Sequence, residues 1–470
     1  MELNNNPIRD EELETAIALV PKKEASKKEE DYDPHKHRNV AHPTSNFDTL
    51  AHLLKGCLGT GILAMHEAFR NAGWLNGLIS MALIGFVCTY CFQILIKAQY
   101  ALCKKHRRPI LSYPESMKLA LEQGPAALKW IAPSAVIVTD GFLIIYQLGV
   151  CICYIVFVAA NVQLIVKEFY QFYDIKYIML WIFIPMLAIN CIKNLKILAP
   201  FSTAANAITF VGLGLVLYYV FDDLPSLSER PAFGPIESYP LYFGTVLFAL
   251  EAVGVFIALE ANMEKPKNFV SKFGVLNSGM TIVTILYGFV GFFGYLKYGE
   301  KSKDSITLSL PAGLVPIITQ GLFTFAIFIS YALQCYVPIS IIWENYCSDE
   351  MKKSNHSDKY LLILRLLTTI FTFIIAAAVP HLGLFISLFG AFCLSILGLG
   401  FPAIMEICVL WPDKFGKLNW HLWKDIALVI FAFAGLTSGT FASMKDIIAT
   451  FSTDASEVAK TFTNATIEQS

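Results

Sequence analysis

From Thr49 onward the chain alternates between long apolar stretches and short polar connections. A helix needs ~20 predominantly apolar residues to cross about 30 Å of hydrocarbon. Eleven stretches meet that requirement, at 49–72, 74–101, 130–165, 176–193, 197–221, 240–263, 273–297, 313–346, 359–380, 382–410 and 425–446. The third and eighth are long enough to tilt or protrude. The ninth and tenth are separated only by Pro380 and His381. This pattern predicts an all-α polytopic membrane protein of about eleven transmembrane helices. Residues 49–446 then form the transmembrane domain, and residues 447–470 a short C-terminal tail.

The first 48 residues differ in kind. EELE, KKEASKKEEDYD and HKHR are polar and mixed in charge, and such segments bury too little apolar surface to offset ordering entropy. A disordered tail is predicted over 1–48, with no secretory signal because the first apolar run starts near Leu50.

Composition agrees with the membrane reading. Of 470 residues, 55% are apolar and 16% charged, against ~25% charged in a soluble domain. A formal net charge of −1 argues against nucleic acid, whose binding needs a basic footprint. The eleven cysteines lie mostly inside apolar runs, where Cys behaves as a small hydrophobe. Motifs for nucleotides, catalytic zinc or a serine nucleophile are absent, so neither an enzyme nor a cofactor is predicted.

Lys and Arg concentrate on the cytosolic side of membrane proteins. With the N-terminus cytosolic, the loops and helix ends on that side carry seventeen and the opposite side nine. An odd helix count then places the C-terminus outside, where the sequon Asn464-Ala465-Thr466 can be glycosylated.

Two spans are interrupted. The first, TLAHLLKGCLGTGILAMHEAF, carries Gly56, Gly59 and Gly61; the sixth, LYFGTVLFALEAVGVFIALEANM, carries Glu251 and Gly254 near its centre. Breaks at membrane depth are tolerated where freed backbone groups meet protein or line a cavity. Their separation by five helices predicts two inverted five-helix repeats with a site between them. Half-helix N-termini there can hold a carboxylate. Glycines can also serve only close packing, the reading given to Gly288, Gly291 and Gly294.

Ionisable residues inside spans are functional candidates by default. His52 precedes the first break by two turns and titrates near neutrality, which makes it the proton-coupling candidate. Glu251 lies at the second break, where a carboxylate can exchange a proton or bind a cation or substrate ammonium. Asp140 is a weaker candidate near the start of the third span. Lys55, His66, Glu67 and Arg70 share the first span or its exit, where a Glu–Arg helical pair can neutralise charge. Glu260, Arg365 and Glu406 lie close enough to span ends to snorkel and receive no chemistry.

The run HPTSNFDTLAHLLKGCLGTGILAM, with GFLIIYQLGVCICYIVFVA, the sixth span through EKPKNF, and GLFISLFGAFCLSILGLGFPAIMEI, resembles the proton-coupled amino acid transporters of the amino acid/auxin permease family, in particular insect members. The resemblance covers essentially everything after Asp48. It implies a leucine-transporter-like 5+5 inverted repeat with broken helices 1 and 6. It implies transport of small neutral amino acids, with His52 in the proton role and Gly59, Thr60 and Gly61 facing the substrate carboxylate. Glu251, Ala252 and Gly254 match the sixth-helix break, and Tyr154 the third-helix tyrosine. Three departures stand out: His66 replaces a proline, Ala258 replaces another, and Ser395 is what remains of a serine run.

Two functions follow. One is a secondary transporter of small neutral amino acids, proton-coupled or uniporting, working by alternating access; Phe248 and Tyr146 would meet the substrate side chain, and sodium is an alternative to the proton. The other is an amino-acid sensor that signals to a cytosolic growth-control complex with little net transport. Plasma membrane and lysosomal or endosomal membrane are both compatible with the sequence.

Overall fold

The computed structural model describes residues 32–40, 43–192, 195–250 and 253–468, with the side chains of all but 195–200, 202–203 and 453–468. Nine helices among the described residues are long and apolar enough to cross a membrane. They are span 2 (Trp74–His106), span 3 (Ala132–Phe169), span 5 (within Leu195–Phe221), span 6 (Ile236–Asn262), span 7 (Val275–Lys301), span 8 (Leu314–Tyr346), span 9 (Ser357–Ala378), span 10 (Leu382–Leu410) and span 11 (within Trp420–Glu468). Span 4 is the shorter apolar helix Ile175–Asn190. Span 1 completes the set as two halves, 1a (Asn46–Cys57) and 1b (Thr60–Ala72).

Span 1 starts where it does because Ser45 caps it. The Ser45 hydroxyl accepts the Asp48 N–H at 3.2 Å, and the Asp48 carboxylate accepts the Ser45 N–H at 3.4 Å. This reciprocal pairing satisfies two otherwise orphaned donors. Spans 1 and 2 then turn at Gly73, whose φ of 82° belongs to the left-handed region and whose missing side chain admits the Ala232 carbonyl.

Packing repeats with a period of five. Span 1b lies on the first half of span 6, span 2 on span 7, span 3 on span 8 and span 4 on span 9. Lipid offers no hydrophobic drive between helices, so contact rests on close approach and polar bonds. Gly291 and Gly294 serve close approach: a Cβ there would lie 2.4 Å from Phe69 and 2.7 Å from His66. Gly288 does not, since its nearest neighbour, Met81, would be 3.7 Å away.

Most charges inside the bundle have partners. Asp140 is buried and accepts Asn345 Nδ2 at 3.0 Å and the Tyr346 hydroxyl at 3.1 Å, tying the start of span 3 to the end of span 8. Glu67 pairs with Arg70 at 3.1 Å. Arg365 does not snorkel. It is buried and donates to the carbonyls of Asn190 at 2.6 Å and Ile192 at 3.0 Å, so it closes the C-terminal end of span 4.

Two boundaries differ from the sequence expectation. The last helix continues to Glu468, because residues 447–468 contain neither Gly nor Pro to stop it; the Asn464 side chain lies outside the described residues. At the other end, residues 32–40 and 43–48, assigned by composition to the tail, lie against the bundle. His35 stacks on Tyr100 with ring centroids 4.7 Å apart. Arg38 pairs with Glu260 at 3.0 Å and donates to the Pro109 carbonyl at 3.1 Å. Asp33 pairs with Lys267 at 3.1 Å, and Thr44 bridges to Met263. Composition cannot register such partners, which lie as far as 234 residues away.

Burial, reinforced by the neighbouring Arg38 guanidinium, pushes the His35 ring pKa down from 6.5 to about 4. A depressed histidine pKa means that the undocked segment binds more protons, so docking is strongest above the ordinary value and weakens as pH falls towards the depressed one. Hydrogen-exchange protection of residues 32–40, corrected for the intrinsic pH dependence of exchange, is expected to fall between about pH 7 and about pH 5. His35→Phe keeps the stack without the titration and should abolish that fall. Equal pH dependence in both proteins would contradict this account.

Candidate functional site

The site is built on the break in span 1. Helix 1a ends at Cys57, Leu58 leaves helical geometry (φ −79°, ψ 88°), and Gly59 is extended before 1b restarts at Thr60. The Cys57 carbonyl accepts the Gly59 N–H at 3.0 Å and the hydroxyl of Tyr287 from span 7. Half-helix 1b has no side-chain cap. Its first N–H groups therefore lack helical partners, and the Thr60 hydroxyl beside them is buried without a hydrogen-bond partner. Gly61 permits the crossing with span 6, since a Cβ there would lie 2.7 Å from Ala249 Cα.

Span 6 is described on either side of residues 251–252, as 6a (Tyr239–Leu250) and 6b (Val253–Asn262). Glu251 and Ala252, where the sequence predicts a break, lie outside the described residues. Gly254 follows them with open space where a side chain would be.

A cavity of about 500 Å³ is lined by Gly56 of 1a, Tyr146 and Gln147 of span 3, Val253, Gly254, Val255, Ala258, Leu259 and Asn262 of 6b, Gln334 of span 8, and Leu394 and Leu397 of span 10. It extends along 6b towards Asn262, whose carbonyl accepts the Thr44 N–H at 2.9 Å. It thus approaches the face that carries the N-terminal segment. The Tyr146 ring meets Phe248 edge-on at 6.1 Å. Gln147 donates to Gln334, and Gln334 donates to the Tyr154 hydroxyl at 3.4 Å. That hydroxyl would lie 3.5 Å from a Cβ on Gly59. A line of polar groups therefore links the cavity wall to the break. Span 10 widens to π-helical geometry from Gly390 to Gly400 beside the cavity, with Ser395 fully buried and its hydroxyl unpartnered.

Gly59, Gly61, Tyr146, Tyr154, Phe248 and Gly254 thus gather around the break and the cavity. His52 does not line the cavity. It is exposed, one helical turn before Gly56 and on the same face of 1a. Gln147 and Gln334 escape a search for ionisable residues; amides within otherwise apolar spans were the available signal. His66, in the proline's place, is buried under Tyr298, with Nε2 3.4 Å from Ser309 Oγ. Among the described residues no cluster of His, Cys, Asp and Glu could hold a metal ion.

Residues 42–445 match the family profile described as "Transmembrane amino acid transporter protein". The chain belongs to this transporter family. Membership makes it a transporter rather than an enzyme. It is 37% identical over 424 residues to the "Proton-coupled amino acid transporter-like protein pathetic" of Drosophila melanogaster, covering 90% of this chain and 89% of that one. It is 28% identical over 424 residues to the "Amino acid transporter AVT3C" of Arabidopsis thaliana, covering 86% and 91%. The inward-facing structure of Mhp1 superposes with a TM-score of 0.52 at 12% identity, covering 89% of this chain and 93% of Mhp1. That likeness shows the fold, a leucine-transporter-like arrangement of broken and continuous helices.

Gly61 and Gly254 should respond differently to a methyl group. Gly61→Ala forces a Cβ against the Ala249 backbone and is expected to cost about 1–3 kcal/mol. Gly254→Ala meets nothing within 4 Å and gains helix propensity, so it should be neutral or slightly stabilising. Thermal unfolding of the purified variants checks this, and equal losses at the two positions would contradict the crossing geometry.

Proposed function

We propose that the chain is a proton-coupled secondary transporter of small neutral amino acids that works by alternating access around spans 1 and 6. The observation that carries this reading is the cavity between Gly56 and 6b, joined to the uncapped start of 1b by the Gln147, Gln334 and Tyr154 line. A buried helix N-terminus with free N–H groups and an unpartnered Thr60 hydroxyl suits a carboxylate. A cavity of about 500 Å³ lies in the range of small-molecule sites. Its described lining holds no charged side chain, so a charged substrate side chain would be desolvated without a partner. The substrate side chain would rest towards Tyr146 and Phe248. Its ammonium would meet the chain near Glu251, Ala252 and Gly254.

The proton role falls to His52 with Glu251. His52 lies on the approach to Gly56, where an imidazole can exchange with water. The printed name of the Drosophila relative includes proton coupling, which supports the same ion here. The tail before residue 49 would lie in the cytosol. Asn464 would lie on the opposite side, open to glycosylation, in a plasma-membrane or lysosomal protein.

Uptake of labelled alanine into proteoliposomes, driven in turn by a proton and a sodium gradient, tests this reading. The proton gradient should drive accumulation, and His52→Ala should lose at least tenfold of the pH-stimulated component, about 1.4 kcal/mol of coupling, while retaining alanine binding. Saturable binding without flux under either gradient would replace the transporter by a sensor.

A further inference from the structure

Away from the cavity, spans 2, 10 and 11 enclose a second group of ionisable side chains. The Lys424 ammonium lies 2.6 Å from Glu406 Oε2, 2.6 Å from the Tyr90 hydroxyl and 3.0 Å from Asp425 Oδ1. Asp425 is fully buried, and neither of its oxygens has a hydrogen-bond partner beyond that ammonium contact. Two carboxylates thus share a single cation. With all three ionised the group carries a buried net negative charge, which one proton would cancel. Like charges at one site cannot both ionise freely.

The site has a route to water. His421 Nδ1 stands 3.8 Å from Glu406 Oε1, and its side chain is 42% exposed. Trp420 and Trp423 beside it are exposed as well, as aromatic residues are at a membrane–water boundary. Among the described residues, the titratable and charged groups that face the pair are Tyr90 from span 2, and His421 and Lys424 from span 11.

We propose that Glu406, Asp425 and Lys424 form a proton-binding site, separate from His52, that is loaded through His421. An imidazolium at position 421 gives its proton to the Glu406 carboxylate, which leaves a neutral imidazole and a carboxylic acid. The proton is then shared between Glu406 and Asp425. Glu406 belongs to span 10, whose Leu394 and Leu397 line the cavity. Protonation therefore weakens the hold of Lys424 on span 10 and makes the packing of spans 2, 10 and 11 depend on pH at the face where His421 lies. The inference stands independently of the assignment of His52 or of substrate.

Infrared difference spectroscopy of the purified protein in lipid, acid minus neutral, reads the site without any transport assay. The wild type should show a protonated-carboxyl band that Asp425→Asn and Glu406→Gln each reduce by one carboxyl. Lys424→Met, which removes the shared cation, should enlarge the signal and persist at higher pH. His421→Ala should keep the band but delay its appearance after a pH jump. A spectrum unchanged in Asp425→Asn and Glu406→Gln would overturn the site, and so would one unchanged in Lys424→Met if those variants fail to fold. An unchanged rate in His421→Ala would overturn the loading route.

Discussion

Backbone N–H and C=O groups at membrane depth have no water to turn to, and the break at Leu58 and Gly59 is built around that constraint. One freed carbonyl, that of Cys57, is taken by Gly59 and the Tyr287 hydroxyl. The freed donors at the start of 1b have no side-chain cap, and the Thr60 hydroxyl is buried without a partner. What would be a fault in a lipid-facing helix becomes a polar site inside an apolar bundle. The surrounding packing keeps it in place: Gly61 lets spans 1 and 6 touch, and Tyr154 brings its hydroxyl to the break at the end of the Gln147–Gln334 line.

The same economy governs the charges. Arg365 closes the end of span 4, Asp140 ties span 3 to span 8, and Arg38 answers Glu260 from outside the spans. Each pairing joins segments distant in sequence, so charge placement is one of the means by which the helices find their neighbours. Where two carboxylates meet a single lysine, at Glu406, Asp425 and Lys424, the balance is unfinished and a proton completes it.

The span count was legible because apolar length is a local property. The break in span 1 was legible too, since glycines in mid-span have few uses. Partners were not: nothing near Arg365 or Glu260 in the chain announces the Asn190 carbonyl or Arg38, so both residues read as snorkelling. The ordering of residues 32–40 was hidden for the same reason, as composition averages over contacts such as Arg38–Glu260 that a few residues make with remote loops. Gln147 and Gln334 were passed over because they are polar without being ionisable, although an amide in an apolar span needs a partner as well.

The central claim is that an amino acid occupies the cavity between spans 1 and 6. Gly254 lines that cavity with open space at its missing side chain. The native cysteines are buried apart from Cys191 and Cys347, which are partly exposed. The most direct measurement is the rate at which a thiol reagent modifies Gly254→Cys after Cys191 and Cys347 are replaced by serine. The account predicts that alanine slows the modification in a saturable manner and that lysine does not. A rate indifferent to every amino acid would contradict it.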